Sequence, residues 1–199
     1  MSNIIIKPKK TAISTGVSSS AKIICNKHKN QSSIKLLDYG CGKLRNTKYL
    51  LENNFNVSII DTVEQISKQK DIIEKLSISN IYDIENVPNE QFDIILCSFV
   101  LNVIPDLNNR NQVLSNIYNL ISNDGVIYIE VRDSKFVKTL KNNITYNDGL
   151  LTGSGEVKTF QKPYDKEELK DYLEEFPFEV LEMKKESNSI IAILKKVEV

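Results

Sequence analysis

A Gly-x-Gly turn between a short apolar strand and a helix constrains the fold of this chain more than any other feature. The strand is predicted over residues 34–37, and Asp38 ends its apolar run. Gly40 and Gly42 follow, and a helix is predicted to begin at Arg45. Glycine allows a tight turn and leaves the backbone uncovered by side chains. A ligand can therefore approach both the bare turn and the helix N-terminus, as in nucleotide-binding α/β domains.

An acidic residue at the end of the next predicted strand supports this interpretation. The strand spans residues 56–60 and Asp61 follows it, about 20 residues after the glycine turn. A carboxylate at that spacing is suited to accept hydrogen bonds from ribose hydroxyls. The structural alternative is that Asp61 caps the helix that comes next.

The sequence Leu37-Asp-Tyr-Gly-Cys-Gly42 resembles the first motif of the class I S-adenosylmethionine-dependent methyltransferases, which reads Asp-x-Gly-x-Gly-x-Gly. The resemblance covers residues 34–133 well and the C-terminal end more loosely. It implies S-adenosylmethionine as the cofactor and a transferase activity. It also implies a Rossmann-like α/β fold with a mostly parallel seven-stranded sheet, helices on both faces and a C-terminal antiparallel hairpin. Leu44 departs from the motif, because it stands where the third glycine usually lies.

Alternating strands and helices follow the motif, which predicts a parallel sheet, and a final hairpin adds an antiparallel edge. Further strands are predicted over 79–82, 92–99, 126–131, 178–184 and 190–195. Helices are predicted over 21–29, 63–76, 108–121 and 165–175. Residues 132–164 show no regular pattern.

The chain of 199 residues suits one domain, which we expect to span residues 34–199. Residues 1–33 contain no acidic residue and precede the motif strand. The resemblance implies a lid over the cofactor for such a segment, with Ile13, Ile23 and Ile24 packing inward. The alternative is a basic leader.

The resemblance assigns a role to each matching position near the turn. Gly40 and Gly42 would pass under the methionine part of the cofactor, and Asp38 would orient this loop. Asp61 would accept hydrogen bonds from both ribose hydroxyls.

Three further positions match cofactor contacts of the family. Asp83 and Ile84 would lie beside adenine, one holding its amine and the other packing on the ring. The backbone of Ser98 would meet the methionine end. Residues 97–105 resemble the fourth motif of family members that do not act on nucleic acid.

Methyl transfer from a sulfonium mainly requires that donor and acceptor are aligned and that water is excluded. A general base is needed only when the acceptor keeps its proton at neutral pH. The predicted catalytic, acceptor-side residues are Asn102, Arg132 and Asp133. Weaker candidates are His28, Tyr146, Gln161 and Tyr164.

Composition excludes other classes of protein. Lys plus Arg and Asp plus Glu each number 26, so no overall charge draws the chain to nucleic acid or membrane. Cysteines 25, 41 and 97 have no paired spacing, which favours a reducing, cytoplasmic compartment and argues against structural zinc. No apolar run approaches the roughly 20 residues of a membrane span. We therefore expect a small-molecule acceptor and no membrane partner.

Three alternative functions are weighed against this one. A nicotinamide oxidoreductase would carry the dinucleotide-binding pattern Gly-x-Gly-x-x-Gly, but Arg45 stands at the sixth position of this pattern, where the last glycine belongs. A cofactor-binding protein without activity is the second, because Leu44 would crowd the cofactor's carboxylate unless it points into the core.

A nucleic-acid methyltransferase is the third alternative. Amino-methylating DNA enzymes carry Asp/Asn-Pro-Pro-Tyr/Phe after the fourth strand, but residues 98–105 lack it, and the chain has no Pro-Cys nucleophile. Thr11-Ala-Ile-Ser14, with residues 37–43 and 159–162, nevertheless resembles uncharacterised methyltransferase-like proteins linked to DNA phosphorothioation clusters. Nucleic acid therefore stays open as a partner.

Overall fold

The alternation of strands and helices produces a mixed α/β fold. The structure is a computed structural model, and it describes residues 5–6, 16–29, 33–141, 143–153 and 156–198. Within these ranges the strands are β1 (Ile5–Ile6), β2 (Lys35–Tyr39), β3 (Asn56–Asp61), β4 (Ile81–Asp83), β5 (Phe92–Ser98), β6 (Ile121–Arg132), β7 (Ile144–Tyr146), β8 (Gly149–Thr152), β9 (Val157–Gln161), β10 (Phe178–Glu186) and β11 (Ser189–Lys196). The helices are α1 (Ser19–Lys27), α2 (Arg45–Glu52), α3 (Val63–Lys68), α4 (Lys70–Ile73), α5 (Leu107–Leu120), α6 (Ser134–Val137) and α7 (Lys166–Glu174), with a 3-10 turn at Leu101–Val103.

The main sheet has seven strands in the order β10-β11-β6-β5-β2-β3-β4. Neighbouring strands from β6 to β4 are parallel. Strand β11 runs antiparallel to β6, and β10 runs antiparallel to β11. The predicted seven-stranded sheet with a C-terminal antiparallel hairpin is confirmed. The strand order reverses at β2, and ligands bind at such a switch point in open α/β sheets.

Alternate residues of each strand face opposite sides of the sheet, where two separate cores form. On β5, Ile95 and Cys97 belong to one core, and Ile94 and Leu96 belong to the other. Apolar residues of α5 and α7 complete the first core, and those of α1 and α2 complete the second. The predicted helices on both faces of the sheet are confirmed.

Helix α1 packs into the second core. It begins after Ser18, whose side chain accepts a hydrogen bond from the Ala21 amide and so caps the helix. Ala21 and Ile24 are fully buried in the core that also holds Leu36. Ile13 and the Thr11–Ser14 sequence lie outside the described residues, so the choice between a lid and a leader stays a prediction for the residues before α1.

The single helix predicted over 63–76 is wrong, because two short helices, α3 and α4, fill this region. Gln69 separates them with φ −102° and ψ 4°. Its amide donates to the Ile66 carbonyl three residues earlier, which closes α3 with a tighter turn.

Residues 132–164 contain regular structure that the sequence pattern did not predict. Strands β1, β9, β8 and β7 form a second sheet in that order, with β1 parallel to β9 and the other pairs antiparallel. Strand β7 has only 3 residues and every one is exposed, so it is too short to show a periodic pattern in the sequence. Gly149 in β8 lies under the Phe160 ring, where a Cβ would approach the ring to 2.5 Å.

We expect Ile24→Ala to lower the free energy of unfolding by about 2–5 kcal/mol, because it opens a cavity in the second core. Urea denaturation without ligand measures this change. Lys22→Ala, at an exposed position of the same helix, is the control and should stay within about 0.5 kcal/mol of the wild type. An unchanged stability of Ile24→Ala would mean that α1 detaches readily and belongs to a mobile lid.

Candidate functional site

The carboxyl ends of β2, β3, β5 and β6 lie side by side at one edge of the main sheet. The Gly-x-Gly turn follows β2 and Asp61 ends β3. Ser98 ends β5 and pairs in register with Glu130 of β6. The topology therefore brings most of the predicted site residues to one edge.

Both glycines of the turn adopt the left-handed backbone conformation, with φ 74° for Gly40 and 55° for Gly42. A Cβ at Gly40 would overlap a methyl group of Val100, which follows β5. The Gly40 amide donates to the Ile60 carbonyl at 2.8 Å. The turn is thus held closely between β3 and the segment after β5, where only glycine fits.

Asp61 binds this turn directly. Its Oδ2 accepts a hydrogen bond from the Gly42 amide at 2.8 Å, and its Oδ1 accepts one from the Thr62 amide at 2.7 Å. Burial raises the pKa of the Asp61 carboxyl above its usual range. The capping alternative is wrong, because the N-cap of α3 is Thr62, whose side chain accepts from the Gln65 amide. Asp61 has lone pairs left for further donors.

Asp38 is buried below the turn, with 1% of its surface exposed. Its Oδ2 accepts a hydrogen bond from the Thr47 hydroxyl of α2 at 2.6 Å. Burial raises the pKa of Asp38 to about 6, although the Thr47 bond acts in the opposite direction. Asp38 therefore joins β2 to α2 and fixes the loop between them.

Leu44 adopts the left-handed conformation, with φ 61°, at the N-cap of α2. Its side chain is fully buried in the second core, which also holds Leu36 and Leu50. The backbone thus has the conformation that a third glycine would favour, while the side chain points into the core.

Asp83 lies beside Asp61 in the register of β3 and β4. Its Oδ1 accepts hydrogen bonds from the Glu85 and Asn86 amides at 2.9 and 2.8 Å. The hydrogen bonds from Asn86 lower the pKa of the Asp83 carboxyl. Asp83 is therefore engaged in its own turn. The Ile84 amide donates to the Asp61 carbonyl, and its side chain packs against the first core.

Phe99, which directly follows Ser98, was not predicted as a site residue. It adopts φ 61°, and its amide donates to the Glu130 carbonyl at 2.7 Å. The Arg132 guanidinium lies 4.2 Å from the centroid of the Phe99 ring, and that of Arg45 lies 5.2 Å from it. The Ser98 hydroxyl is buried and has no hydrogen-bond partner among the described residues. The scarcity of arginine in this chain was the one sequence signal for Arg45.

Glu130 is a second residue whose role the sequence did not reveal. It is 2% exposed, and it accepts hydrogen bonds from the Ser20 amide at 2.9 Å and from the Ser189 hydroxyl at 2.8 Å. The Ser20 hydroxyl also donates to it. The carboxylate therefore joins α1 and β11 to the end of β6, and it places the start of α1 at the edge of the site.

Asn102 lies in the 3-10 turn after β5 and is 1% exposed. Its Nδ2 donates to Gln161 Oε1 at 2.9 Å, and its carbonyl accepts from the Lys162 amide at 2.7 Å. Its Oδ1 has no partner among the described residues. These bonds fix β9 of the second sheet over the end of β5.

The carboxylate of Asp133 is already bonded to neighbouring residues. It caps α6 by accepting from the Lys135 amide, and it pairs with Lys185 at 3.3 Å. Burial alone would raise the pKa of Asp133, but the bonds from Lys135 and Lys185 outweigh it and lower the pKa. The carboxylate is thus ionised and already bonded, which suits a structural role better than that of a general base.

The weaker candidates do not meet at one place. His28 Nε2 is hydrogen-bonded to the Tyr128 hydroxyl at 2.9 Å on the face of the sheet. Tyr164 is buried and stacked on Tyr172, while Tyr146 is 38% exposed. Gln161 reaches the end of β5 through Asn102, and the backbone of Tyr164 lies beside Asp133 after β6, where its carbonyl accepts from the Ser134 amide at 2.7 Å.

The sequence matches a protein family described as a methyltransferase domain over residues 21–183. This range covers more than half of the chain and includes the turn, Asp61 and the ends of β5 and β6. The chain belongs to this family. The prediction of a methyltransferase from the first motif is confirmed. Among curated proteins, no relative matches the sequence of this methyltransferase domain.

Solved structures share the fold of the methyltransferase domain at low sequence identity. An S-adenosylmethionine-dependent methyltransferase from Clostridium acetobutylicum is 18% identical, with a TM-score of 0.66 over 89% of this chain and 91% of that chain. A Methanosarcina mazei methyltransferase is 17% identical, with a TM-score of 0.70 over 92% and 99%.

A third structure contains two bound ligands. It is the Burkholderia thailandensis 1,6-didemethyltoxoflavin-N1-methyltransferase with 1,6-didemethyltoxoflavin and S-adenosylhomocysteine. It is 17% identical, with a TM-score of 0.65 over 90% of this chain and 79% of that chain.

Within the described ranges of the chain, every helix is too short or too polar to span a bilayer.

The buried carboxyl of Asp38 gives a pH-dependent prediction. Its folded pKa of about 6 exceeds the unfolded value of about 3.9, so the folded state binds more protons between these pH values. The contribution of Asp38 to stability is therefore lost as the pH rises from 4 to 6, by about 2 kcal/mol over this range.

Asp38→Asn removes this titration and keeps an acceptor for Thr47. We expect the unfolding free energy of the wild type, relative to Asp38→Asn, to fall by about 2 kcal/mol between pH 4 and pH 7. Urea denaturation at several pH values measures it, with the exposed Asp71→Asn as the charge control. A pH-independent difference would contradict a raised pKa at Asp38.

Leu44→Gly tests the departure from the family motif. The loss of a buried leucine costs about 2–5 kcal/mol, and relief of the left-handed backbone returns about 1–2 kcal/mol. We therefore expect a net loss of about 1–4 kcal/mol in urea denaturation, and calorimetry should show unchanged affinity for S-adenosylhomocysteine. Leu50→Ala, buried in the same core, is the control. A gain in affinity of about tenfold would show that Leu44 crowds the ligand.

Proposed function

We propose that this chain transfers the methyl group of S-adenosylmethionine to a small-molecule acceptor by in-line displacement. The observation that carries the proposal is the Asp61 carboxylate, bonded to the amide of the bare Gly42 turn at the switch point of the sheet. This pairing supplies acceptors for ribose hydroxyls beside a backbone that a ligand can approach.

The residues present fit the cofactor. A Cβ at Gly42 would meet nothing nearer than the Gly40 carbonyl oxygen at 3.9 Å, so a ligand can approach the turn there, and the Asp61 carboxylate lies next to it. The buried Ser98 hydroxyl, without a partner among the described residues, offers one further hydrogen bond at the end of β5. We assign Gly40 and Gly42 to the methionine part and Asp61 to the ribose.

The adenine contacts follow from the same arrangement. Ile84 presents a partly buried apolar side chain next to Asp61, to whose carbonyl its amide is bonded. We assign Ile84 to the face of the adenine ring. Asp83 accepts its bonds from its own turn mainly at Oδ1, which leaves most of the capacity of Oδ2 for the exocyclic amine.

The cofactor brings an activated methyl group, so the chain itself has to align the acceptor and exclude water. Asn102 and Arg132 are suited to contact the acceptor, since Asn102 follows β5 and Arg132 is the last residue of β6. Asp133 acts through the turn that it caps, which fixes the position of Arg132. Strand β9 covers the end of β5 through Asn102 and limits access of water.

A small acceptor agrees with several properties of the chain. Its formal net charge is zero, which gives no general attraction to nucleic acid. The Burkholderia thailandensis neighbour is a methyltransferase of a small molecule. Cys25, Cys41 and Cys97 are free and buried, which supports a cytoplasmic location.

The Asp61→Asn variant tests the proposal. The amide can still accept from Gly42 but loses the negative charge that strengthens hydrogen bonds from the ribose, worth about 1.5–3 kcal/mol. We expect affinity for S-adenosylhomocysteine to fall about tenfold to a hundredfold in calorimetry. Because asparagine has one oxygen for the two amides of Gly42 and Thr62, stability without ligand should also fall, by about 1–3 kcal/mol.

Thr62→Ala is the matched control, because it removes the cap of α3 and leaves the carboxylate intact. It should lower stability by about 1 kcal/mol and keep the affinity. The proposed function would be overturned if the wild-type protein bound NAD tightly and bound neither S-adenosylmethionine nor S-adenosylhomocysteine.

A further inference from the structure

Two arginines share one aromatic ring at the edge of the site. The guanidinium of Arg132 lies 4.2 Å from the Phe99 ring centroid and 5.1 Å from that of Phe136. The guanidinium of Arg45 lies 5.2 Å from the Phe99 centroid. Both arginines are half-buried, and burial lowers the pKa of each. The proximity of Arg45 lowers the pKa of Arg132 further.

The nearby carboxylate of Glu130 is already occupied. It accepts hydrogen bonds from Ser20 and Ser189, on the two elements that flank β6. Arg45 donates to the Gly16 carbonyl at 2.8 Å. In the part of the chain that the structure describes, Arg132 forms no ion pair and no hydrogen bond through its guanidinium.

Arg110 shows how the same chain pairs an arginine in a structural role. It is 1% exposed, and its guanidinium forms an ion pair with Asp148. Arg132 is half-buried, so its guanidinium has lost part of its hydration. The Glu130 carboxylate attracts it and raises its pKa, but among the described residues no carboxylate forms an ion pair with it. Partial desolvation of an unpaired cation is unfavourable, and the binding of an anion offsets this cost.

The guanidinium also lies where an acceptor must reach. Arg132 ends β6 two residues beyond Glu130, which pairs with Ser98 of β5 at the sheet edge that carries the glycine turn. Phe99 holds the cation in place through its ring, and its own backbone is fixed by the bond to the Glu130 carbonyl. A planar guanidinium that is held in one orientation can bind a carboxylate or phosphate through two parallel hydrogen bonds.

We propose that Arg132, positioned on Phe99 together with Arg45, binds a carboxylate or phosphate group of the methyl acceptor. The acceptors of this enzyme are then anionic small molecules. This inference rests on the proposed function, because it takes the group beside the guanidinium to be the substrate of methyl transfer. The competing explanation is that Arg132 only packs on two aromatic rings.

The test titrates inorganic phosphate into the protein at constant ionic strength, with and without S-adenosylhomocysteine, and follows the melting temperature. The variants are Arg132→Gln and the control Lys135→Gln, which removes a positive charge from an exposed position three residues away. We expect phosphate to stabilise the wild type and Lys135→Gln, with its affinity reduced about tenfold or more in Arg132→Gln. Arg132→Lys keeps the charge without the fork and should give an intermediate affinity.

A second measurement separates the acceptor's anion from the carboxylate of the cofactor itself. Calorimetry compares S-adenosylhomocysteine with 5′-methylthioadenosine, which lacks the amino-acid part. Equal affinities of wild type and Arg132→Gln for each ligand support the assignment to the acceptor. If Arg132→Gln weakens S-adenosylhomocysteine but not 5′-methylthioadenosine, Arg132 holds the cofactor and the inference is overturned.

Two other results are decisive. A wild type without phosphate response, or an equal response in Arg132→Gln, overturns the anion site and leaves Arg132 as a packing residue. Failure to bind either sulfur cofactor overturns the proposed function, whereas the phosphate titration without cofactor still decides whether Arg132 forms an anion site.

Discussion

The hydrogen bond from the Gly42 amide to the Asp61 carboxylate is the contact on which the rest of the site depends. Strands β2 and β3 run parallel and adjacent, and each delivers one partner at its carboxyl end. A partly buried carboxylate is unfavourable unless hydrogen bonds offset its lost hydration, and the amides of Gly42 and Thr62 provide these bonds. The same contact therefore shapes the turn and keeps the acid in place for a ligand.

Buried polar side chains attach further segments to this edge. Glu130 binds Ser20 at the start of α1, and Asn102 binds Gln161 on β9. A buried polar group without a partner costs about 1–3 kcal/mol, so each bond favours one placement of the attached segment over others. The strand ends thus form the base of the site. Helix α1 lies on one side of this base, and β9 of the second sheet covers it.

The main sheet and the glycine turn could be predicted because their signals are local in the sequence. Residues 94–97 of strand β5 are covered on both faces and therefore form a continuous apolar run. The strands of the second sheet give no such signal, since every residue of β7 is exposed and β8 begins with Gly149. Their pairing depends on contacts across the chain, such as Gly149 under the Phe160 ring, that periodicity cannot show.

The location of Asp61 beside the glycine turn could be predicted, because β2 and β3 are adjacent parallel strands whose carboxyl ends meet at one edge. Its contact with the cofactor stays a prediction. The surroundings of other acidic residues could not be predicted, because local hydrogen bonds compete. Asp83 ends a strand and Asp133 follows one, yet each is bonded to backbone amides two or three residues ahead. A sequence does not distinguish a carboxylate that closes its own turn from one that faces a ligand. Phe99 gave no signal, because its backbone conformation depends on a bond to Glu130 in another strand.

Leu44 and Phe99 share a left-handed backbone, each with φ 61°, but the conformation has different causes at the two positions. It costs about 1–2 kcal/mol for a residue with a side chain. At Leu44 the complete burial of the side chain, worth about 1.5–3 kcal/mol, offsets that cost. Phe99 is only half-buried, so packing offsets less, and its ring instead supports the guanidiniums of Arg45 and Arg132. Strain without a packing reason is typical of functional sites, and here it fixes the position of two cations at the strand ends.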